Sequence, residues 1–378
     1  MKPATLEFVR QRFMSYYQQG HLSVPPALEH REWGFIFFDA KPEVRMRRHL
    51  GFGSRDECLE YIRSMVPAHA YYSTAYYTNP AAGTMGEKGW TGADLIFDID
   101  ADHLIRGVPY DAMLARVKEE TEKLLDMLTG ELGFSARTLS LVFSGGRGYH
   151  VHVRDPRVRS WESRERREVV DYLCGTGIEP QMLFAAGNGS SGWQRRFSVA
   201  MKIYADRLLA GGEKAALKHL KGMKGVGETY AGRFLGALQN FGGDEKERPT
   251  DALLTSPVMQ TLLSAEGGEL LPLLKSQAAL VDEPVTTDIK RLIRMPTSLH
   301  GGSGLRVVEI PPADLADFDP LVDAVVFGER EVKIDLAFPL AMPILGNTWK
   351  LRKGTNVVPE ALAVFLCCRG IAEIGGRA

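Results

Sequence analysis

The chain has 378 residues, of which 44% are hydrophobic and 25% charged, a composition typical of a globular protein with room for two structural units. Lys and Arg number 46 against 47 acidic residues, which excludes a general basic field, so a nucleic-acid partner would need local basic patches. The sequence has no signal peptide and no apolar run of about 18 residues. Its four cysteines lack the spacing of a zinc site. We therefore expect a cytoplasmic protein with reduced thiols and no membrane segment.

The first predicted elements surround a short basic stretch. Apolar residues at helical spacing predict a helix over 6–17, and the run WGFIFF predicts a strand over 33–38. Residues 45–49 are basic, and they form one of two patches, with 350–353, that could hold template or primer phosphates. A helix is predicted after Ser54, which is a suitable N-cap residue.

An apolar strand that ends in acid follows, with the sequence DLIFDID over 94–100. Because side chains alternate across a strand, Asp98 and Asp100 point the same way. Carboxylates held close together repel each other, and their burial without a partner is costly. A divalent cation such as Mg²⁺ would relieve this repulsion. The alternative is a strand end whose acids lie in water or pair with Lys or Arg.

A helix over about 111–128 and a hairpin over 139–153 complete a β-α-β-β unit. That order predicts a mixed α/β fold, with a mixed sheet packed against helices. The hairpin turn is rich in glycine and carries Ser144, Arg147 and His150, which together suit the binding of a polyphosphate. The alternative is a plain hairpin turn with a solvated arginine.

Residues 205–280 change character, with short amphipathic segments, and predict an inserted helical subdomain. The remaining 1–204 and 281–378 would then form one discontinuous α/β domain. Within the insertion, LKGMKGVGETYA over 220–231 resembles a helix-hairpin-helix turn, which offers backbone N–H groups to a DNA phosphate. A glycine-containing turn that closes an ordinary helix pair is the alternative reading.

The stretch 282–308 brings further charged residues. Asp282 could complete a two-metal site, with Arg294 and His300 neutralising phosphates. For Asp288 and Arg291 we expect a surface pair, because isolated charges usually lie in solvent.

With these residues in view, the sequence resembles the small, catalytic subunit of archaeal and eukaryotic DNA primases. The resemblance extends loosely over nearly the whole chain, and its motifs occur in the order found in that family. The matching stretches are REWGF (31–35), RH (48–49), DLIFDIDADHL (94–104), SGGRGYHVHV (144–153) and DEPVTTDIKRLIRMPTSLHGGSGLRV (282–307).

The resemblance implies that Asp98, Asp100 and Asp282 are catalytic and bind Mg²⁺ or Mn²⁺. It implies a nucleotide-binding set that holds the triphosphate, namely Arg48, Ser144, Arg147, His150, Arg294 and His300. The implied reaction makes short primers from nucleoside triphosphates on single-stranded DNA, by two-metal in-line attack on the α-phosphate. The implied partner is a primase large subunit, which carries an iron–sulfur domain and forms a heterodimer with the small subunit.

The sequence departs from the family pattern in two places. Many archaeal members have a Cys/His zinc knuckle after the acid strand, but residues 103–135 contain no cysteine, so we predict no structural zinc. Family members often have a lysine two residues after His300, where this chain has Gly302. We expect Lys290 or Lys350 to take the place of that lysine.

Two other functions stay open at this point. A haloacid-dehalogenase-like phosphatase also uses an Asp-x-Asp strand end, but a Thr or Val normally follows closely, where this chain has Ala101, Asp102 and His103. A non-catalytic nucleic-acid-binding module would bind template without incorporating nucleotides.

Overall fold

The computed structural model describes residues 1–38, 45–101, 107–178, 183, 192–239, 241, 251–264 and 268–375. The chain divides into two compact units. The first comprises Met1–Leu125, Phe134–Val170 and Val281–Ala378, and the second comprises Asp126–Gly133 and Asp171–Leu280.

The second unit begins earlier in the chain than the sequence-based boundary at 205. That boundary falls inside the helix Trp193–Leu209, which packs against the helix Leu270–Lys275 of the same unit. The whole of Trp193–Leu209 therefore belongs to the second unit.

Helices occur in both units, and among the described residues none is long and apolar enough to cross a lipid bilayer. The predicted helices over 6–17, 54–64 and 111–128 are confirmed, and Ser54 Oγ caps the second by accepting a hydrogen bond from Glu57 N at 3.2 Å. The described helices are Pro3–Gln19, Arg55–Met65, Tyr110–Asp126, Ser163–Cys174, Trp193–Leu209, Glu213–Lys221, Glu228–Gln239, Asp251–Leu254, Pro257–Leu262, Leu270–Lys275, Glu283–Thr287, Pro320–Asp323 and Glu360–Cys368.

All the described strands belong to the first unit. In chain order they are β1 Trp33–Ile36, β2 Met46–Leu50, β3 His69–Ser73, β4 Ala75–Tyr77, β5 Trp90–Ala93, β6 Leu95–Asp100, β7 Leu139–Phe143, β8 Gly148–Val153, β9 Leu292–Arg294, β10 Val308–Ile310, β11 Glu331–Leu336, β12 Leu340–Ile344, β13 Asn347–Leu351, β14 Gly354–Pro359 and β15 Ala372–Ile374.

Two four-stranded sheets carry the residues of interest, in the orders β2-β1-β3-β9 and β10-β7-β8-β6. The mixed α/β class and the β-α-β-β unit are confirmed. Every pairing between described strands is antiparallel, so these sheets differ from the mixed sheet expected. The reason is that β8 lies between β6 and β7, which separates the two strands that run in the same direction.

The apolar side chains of strand β6 are buried, and its two aspartates are partly exposed. Leu95, Phe97 and Ile99 are fully buried, whereas Asp98 and Asp100 are of intermediate exposure. Asp98 pairs with His150 and Asp100 with Gly148. The apolar face therefore fixes the strand in the core, while the hairpin places its turn beside the two carboxylates.

A buried ion pair holds the residue just before β6. Arg31 Nη2 lies 2.8 Å from Asp94 Oδ2, and both side chains are almost fully buried. Tyr76 Oη donates to Asp94 Oδ1 at 2.7 Å, and Arg31 Nη1 donates to the carbonyls of Ser73 and Thr74 at 2.9 and 2.7 Å. Asp94 thus has a structural partner, and Arg31 ties β6 to the end of β3.

Arg31→Met should lower the free energy of unfolding by about 3–5 kcal/mol, because it leaves the buried Asp94 carboxylate without a cationic partner. Arg164→Met is the matched control, since Arg164 and Glu168 form a 3.6 Å pair whose side chains are 87% and 70% exposed. The control should change stability by less than about 1 kcal/mol. Denaturant titration measures both values, and equal effects would contradict a stabilising role for the buried pair.

Candidate active site

A cleft of about 290 Å³ lies in the first unit, at the acid end of β6. Asp98 and Asp100 contribute its negative charge, and four arginines contribute positive charge. The charged and imidazole side chains that line it are Asp98, Asp100, Arg147, His150, Arg291, Arg294, His300 and Arg369. Ser144 also lines the cleft. Five of the six residues predicted to hold a triphosphate therefore border the same cleft as Asp98 and Asp100.

The third aspartate, Asp282, is not among the residues that line the cleft, but a backbone contact holds it beside β6. Asp282 N donates to the Asp98 carbonyl at 2.9 Å, and Asp282 then forms the N-cap position of the helix Glu283–Thr287. Burial and the nearby charges of Asp100 and Asp282 together raise the pKa of Asp98 to about 7, against the lowering effect of Arg291 and Arg294. The three aspartates therefore lie close enough to repel one another, as expected. Their catalytic role stays a prediction.

The carboxylates do not form a closed cage of side chains. Within the described ranges, no group of three or more His, Cys, Asp or Glu residues is arranged to hold a metal ion. The site instead contains the desolvated Asp98 carboxylate close to Asp100 and Asp282. A cation bound there would lower the repulsion among the three carboxylates.

The glycine-rich turn between β7 and β8 packs against His300. Ser144 Oγ accepts hydrogen bonds from the backbone N–H groups of Gly146 and Gly148, both at 3.3 Å, so the hydroxyl holds the turn closed. Gly145 has a φ of +74°, and a Cβ there would lie 2.8 Å from His300 Cβ. Only glycine satisfies both the left-handed backbone and this close approach. The hairpin is thus confirmed, and its turn forms one wall of the cleft.

The guanidinium of Arg294 contacts a histidine, His69, that was not predicted from the sequence to be a site residue. Arg294 Nη1 lies 2.6 Å from His69 Nδ1, which also accepts from Gly301 N at 3.3 Å. The rings of His69 and His300 meet edge to face, with their centroids 5.0 Å apart. Burial, together with Arg294, lowers the pKa of His69 to about 3, so the ring is neutral and Nδ1 remains an acceptor.

His150 lies beside the acid pair in neutral form. Its Nε2 is 3.6 Å from Asp98 Oδ1, and the two residues are register partners on β8 and β6. Burial lowers the pKa of His150 to about 3, with contributions from Arg294 and Arg291. A neutral His150 can donate or accept a hydrogen bond in the cleft without adding charge.

Arg48 is the predicted nucleotide-binding residue that the structure does not bring to the cleft. It lies on β2, where its Nε and Nη2 donate to the Glu32 carboxylate at 3.0 and 3.3 Å. Since β2 and β9 are opposite edges of one sheet, Arg48 and Arg294 are separated by three strand spacings, about 14 Å. Arg48 was predicted to bind nucleotide only from the two-residue match RH at 48–49, which carries no information on the order of strands in the sheet.

Arg291 and Arg369 line the cleft, although neither is a site residue predicted from the sequence. The expectation that Arg291 belongs to a surface pair with Asp288 is wrong in this respect, because the side chain turns to the cleft and lowers the pKa of Asp98. Arg369 follows the helix Glu360–Cys368, and its guanidinium lies 4.7 Å from the centre of the Tyr110 ring. Arg369 lies far along the chain from every motif, so nothing in the sequence indicated that it belongs to the site.

The lysine that Gly302 replaces is not restored by the residues proposed for it. Gly302 lines the cleft and its N–H donates to His300 Nδ1 at 3.1 Å. Among the described lining residues, neither Lys290 nor Lys350 is present, whereas Arg291 and Arg369 are.

In the predicted zinc-free segment 103–135, residues 103–106 lie outside the described residues.

Arg294→Met should weaken the binding of inorganic triphosphate by about tenfold or more, because a charged hydrogen-bond donor is lost from the cleft. His69→Ala should also weaken it, since Arg294 then loses its acceptor, whereas His69→Gln should retain most of the affinity. Isothermal titration calorimetry measures the constants, with the exposed His21→Ala as control. If His69→Ala added its full effect on top of Arg294→Met, His69 would not act through Arg294.

The comparisons with known proteins agree with one another. A family model described as DNA primase small subunit matches residues 97–311. Proteins described as DNA primase small subunit PriS are similar over nearly the whole chain. That of Methanosphaerula palustris is 55% identical, covering 99% of this chain and 99% of the relative. That of Methanoregula boonei is 56% identical, covering 99% and 100%, and that of Methanothrix thermoacetophila is 41% identical, covering 99% and 100%.

The matched region contains both aspartates of β6, the glycine-rich turn, Asp282, Arg294 and His300. On the extent of these similarities, the chain belongs to the archaeal-type DNA primase small subunit family, whose members serve DNA replication.

Proposed function

We propose that this chain is the catalytic subunit of a DNA primase, which joins nucleotides into short primers on a single-stranded DNA template. Membership of the family makes it a nucleotidyltransferase in general terms. The observation that carries the finer proposal is the cleft itself, where acidic and basic groups needed for phosphoryl transfer meet.

The arginines supply the charge that a triphosphate requires. Arg147, Arg291, Arg294 and Arg369 line a cleft that contains two strand carboxylates, so positive groups outnumber negative ones. Guanidinium groups bind phosphate oxygens with two parallel hydrogen bonds, and His300 and the glycine-rich turn add further donors. We infer that the triphosphate lies along this basic wall, with its α-phosphate toward Asp98 and Asp100.

Asp98, Asp100 and Asp282 would hold Mg²⁺ or Mn²⁺. Burial and the neighbouring charges disfavour the ionised form of Asp98, which is the situation that a bound cation reverses. A preformed cage of three side chains is not required, because Mg²⁺ usually takes one or two carboxylates together with water and substrate phosphates. When bound, the cations would lower the pKa of the attacking hydroxyl and stabilise the leaving group.

The reaction forms a bond between a primer 3′ oxygen and the α-phosphorus, and it breaks the bond from that phosphorus to the β-phosphate. Pyrophosphate leaves and the hydroxyl proton passes to solvent. The chain's own contribution is to align the reactants and to neutralise charge on the leaving phosphates, which is the larger part of phosphoryl-transfer catalysis. Arg294, fixed by His69, is well placed for the second task.

We further propose a primase large subunit as partner, since the relatives are named small subunits. Arg291 and Arg369 would take over the phosphate contact of the lysine that Gly302 replaces. The absence of structural zinc and the role of the basic patches 45–49 and 350–353 remain predictions.

Family membership favours this proposal over the two alternatives. Release of phosphate from a monoester without polymerisation would support the phosphatase, and metal-independent template binding without incorporation would support the non-catalytic module.

Asp98→Asn and Asp100→Asn should each reduce primer synthesis at least about 100-fold, because an uncharged amide neither binds the cation strongly nor orients the reactants. The assay is labelled-nucleotide incorporation on single-stranded template by the isolated chain, with Mg²⁺ and with Mn²⁺. Asp288→Asn is the matched control, since this carboxylate is exposed and near Asp282 in the chain. Synthesis by either strand variant at the level of the control would refute the assignment.

A further inference from the structure

Positive charge is concentrated on one helix pair of the second unit. The whole chain has slightly more acidic than basic residues, but 213–233 contains five Lys or Arg and two Glu. Lys214, Lys218 and Lys221 recur at helical spacing along Glu213–Lys221, and all three are exposed. The charge therefore follows one face of the helix and leads to the turn where Lys224 lies, also exposed.

The turn after this helix presents backbone rather than side chains. Gly225 and Gly227 are exposed, and a Cβ on either would meet no atom within 4 Å. Val226, between them, is buried, and Leu220 on one side and Ala231 on the other are fully buried. The apolar residues thus anchor the turn, while its outer surface is open to the close approach of a ligand.

An aromatic side chain stands next to the turn. Tyr230 is 50% exposed, on the helix Glu228–Gln239, whose residues Ala231 and Phe234 face the core. Arg233 lies one turn further along the same exposed face. Basic residues interleaved with an exposed aromatic ring are the features by which proteins hold single-stranded nucleic acid.

We propose that this helix pair, Glu213–Lys221 and Glu228–Gln239 with the turn between them, is a DNA-binding site separate from the cleft of the first unit. Lys218, Lys221 and Lys224 contact backbone phosphates, and Tyr230 stacks on a base. Contacts of these kinds carry no base-edge readout, so the binding is independent of sequence. Glu228, which pairs with Lys221 at 3.1 Å, is exposed, so solvent screens its repulsion of the phosphates.

The test compares two double substitutions of equal charge in the full chain. Lys218→Glu with Lys224→Glu changes the proposed site, and Lys202→Glu with Arg207→Glu changes exposed positions on the helix Trp193–Leu209. Fluorescence anisotropy of labelled single-stranded DNA, across a salt series and without nucleotide or divalent metal, gives the affinities. The first pair should bind at least about tenfold more weakly near 0.1 M salt, with the slope of log K against log salt reduced by about 1.4 for two lost phosphate contacts. The control should keep the wild-type slope.

Two single variants keep the test valid if a double variant misfolds, which thermal unfolding would reveal. Lys224→Gln should reduce the salt slope by about 0.7. Tyr230→Ala should weaken binding by about fivefold or more with an unchanged slope, because stacking is lost and no phosphate contact is. Equal losses in the test and control pairs, or an unchanged slope in the Lys variants, would overturn the proposal. Because the assay contains no nucleotide, its result is independent of the reaction proposed for the cleft.

Discussion

The hydrogen bond from Asp282 N to the Asp98 carbonyl is the contact on which the site depends. It joins the start of the segment 282–308 to the acid end of β6, although 183 residues separate the two in sequence. Without it, Asp98 and Asp100 would be a strand-end pair and no more. With it, the third carboxylate comes close enough to raise the pKa of Asp98, and the strand that bears Arg294 follows a few residues later in the chain. Burial makes this costly, as the raised pKa of Asp98 shows.

The free-energy cost of burying Asp98 is confined to the site, because other contacts hold the surrounding strands in place. Arg31 pairs with Asp94 just before β6, and the glycine-rich turn is closed by Ser144, so the strand and the hairpin keep their positions without help from the site. Arg294 has its own support in His69. A neutral histidine is well suited to that task, since it accepts from the guanidinium and leaves its charge for a ligand. The cleft is thus a set of prearranged charges with little freedom to relax toward one another.

The sequence allowed the local elements to be predicted, but not the long-range arrangement. Alternation revealed β6, glycine and flanking apolar runs revealed the hairpin, and the serine at 54 marked a helix start, because each signal lies within a few residues. Arg48 was placed in the cleft by a short match, while sheet order puts it on the far edge, paired with Glu32. His69 and Arg369 gave no signal, since only tertiary contact gives them a role. The compact units have bounds other than the predicted 205, because a change in composition does not show which core a helix joins.

The central claim is that the aspartates of β6 bind divalent cations beside a triphosphate held by the cleft arginines. A crystal structure of the chain with Mn²⁺ and a non-hydrolysable nucleoside triphosphate examines this directly, because anomalous scattering locates manganese. The account predicts anomalous peaks within bonding distance of Asp98 and Asp100 carboxylate oxygens, and phosphates in contact with Arg294. Manganese bound elsewhere, or a triphosphate lying away from the cleft, would contradict it.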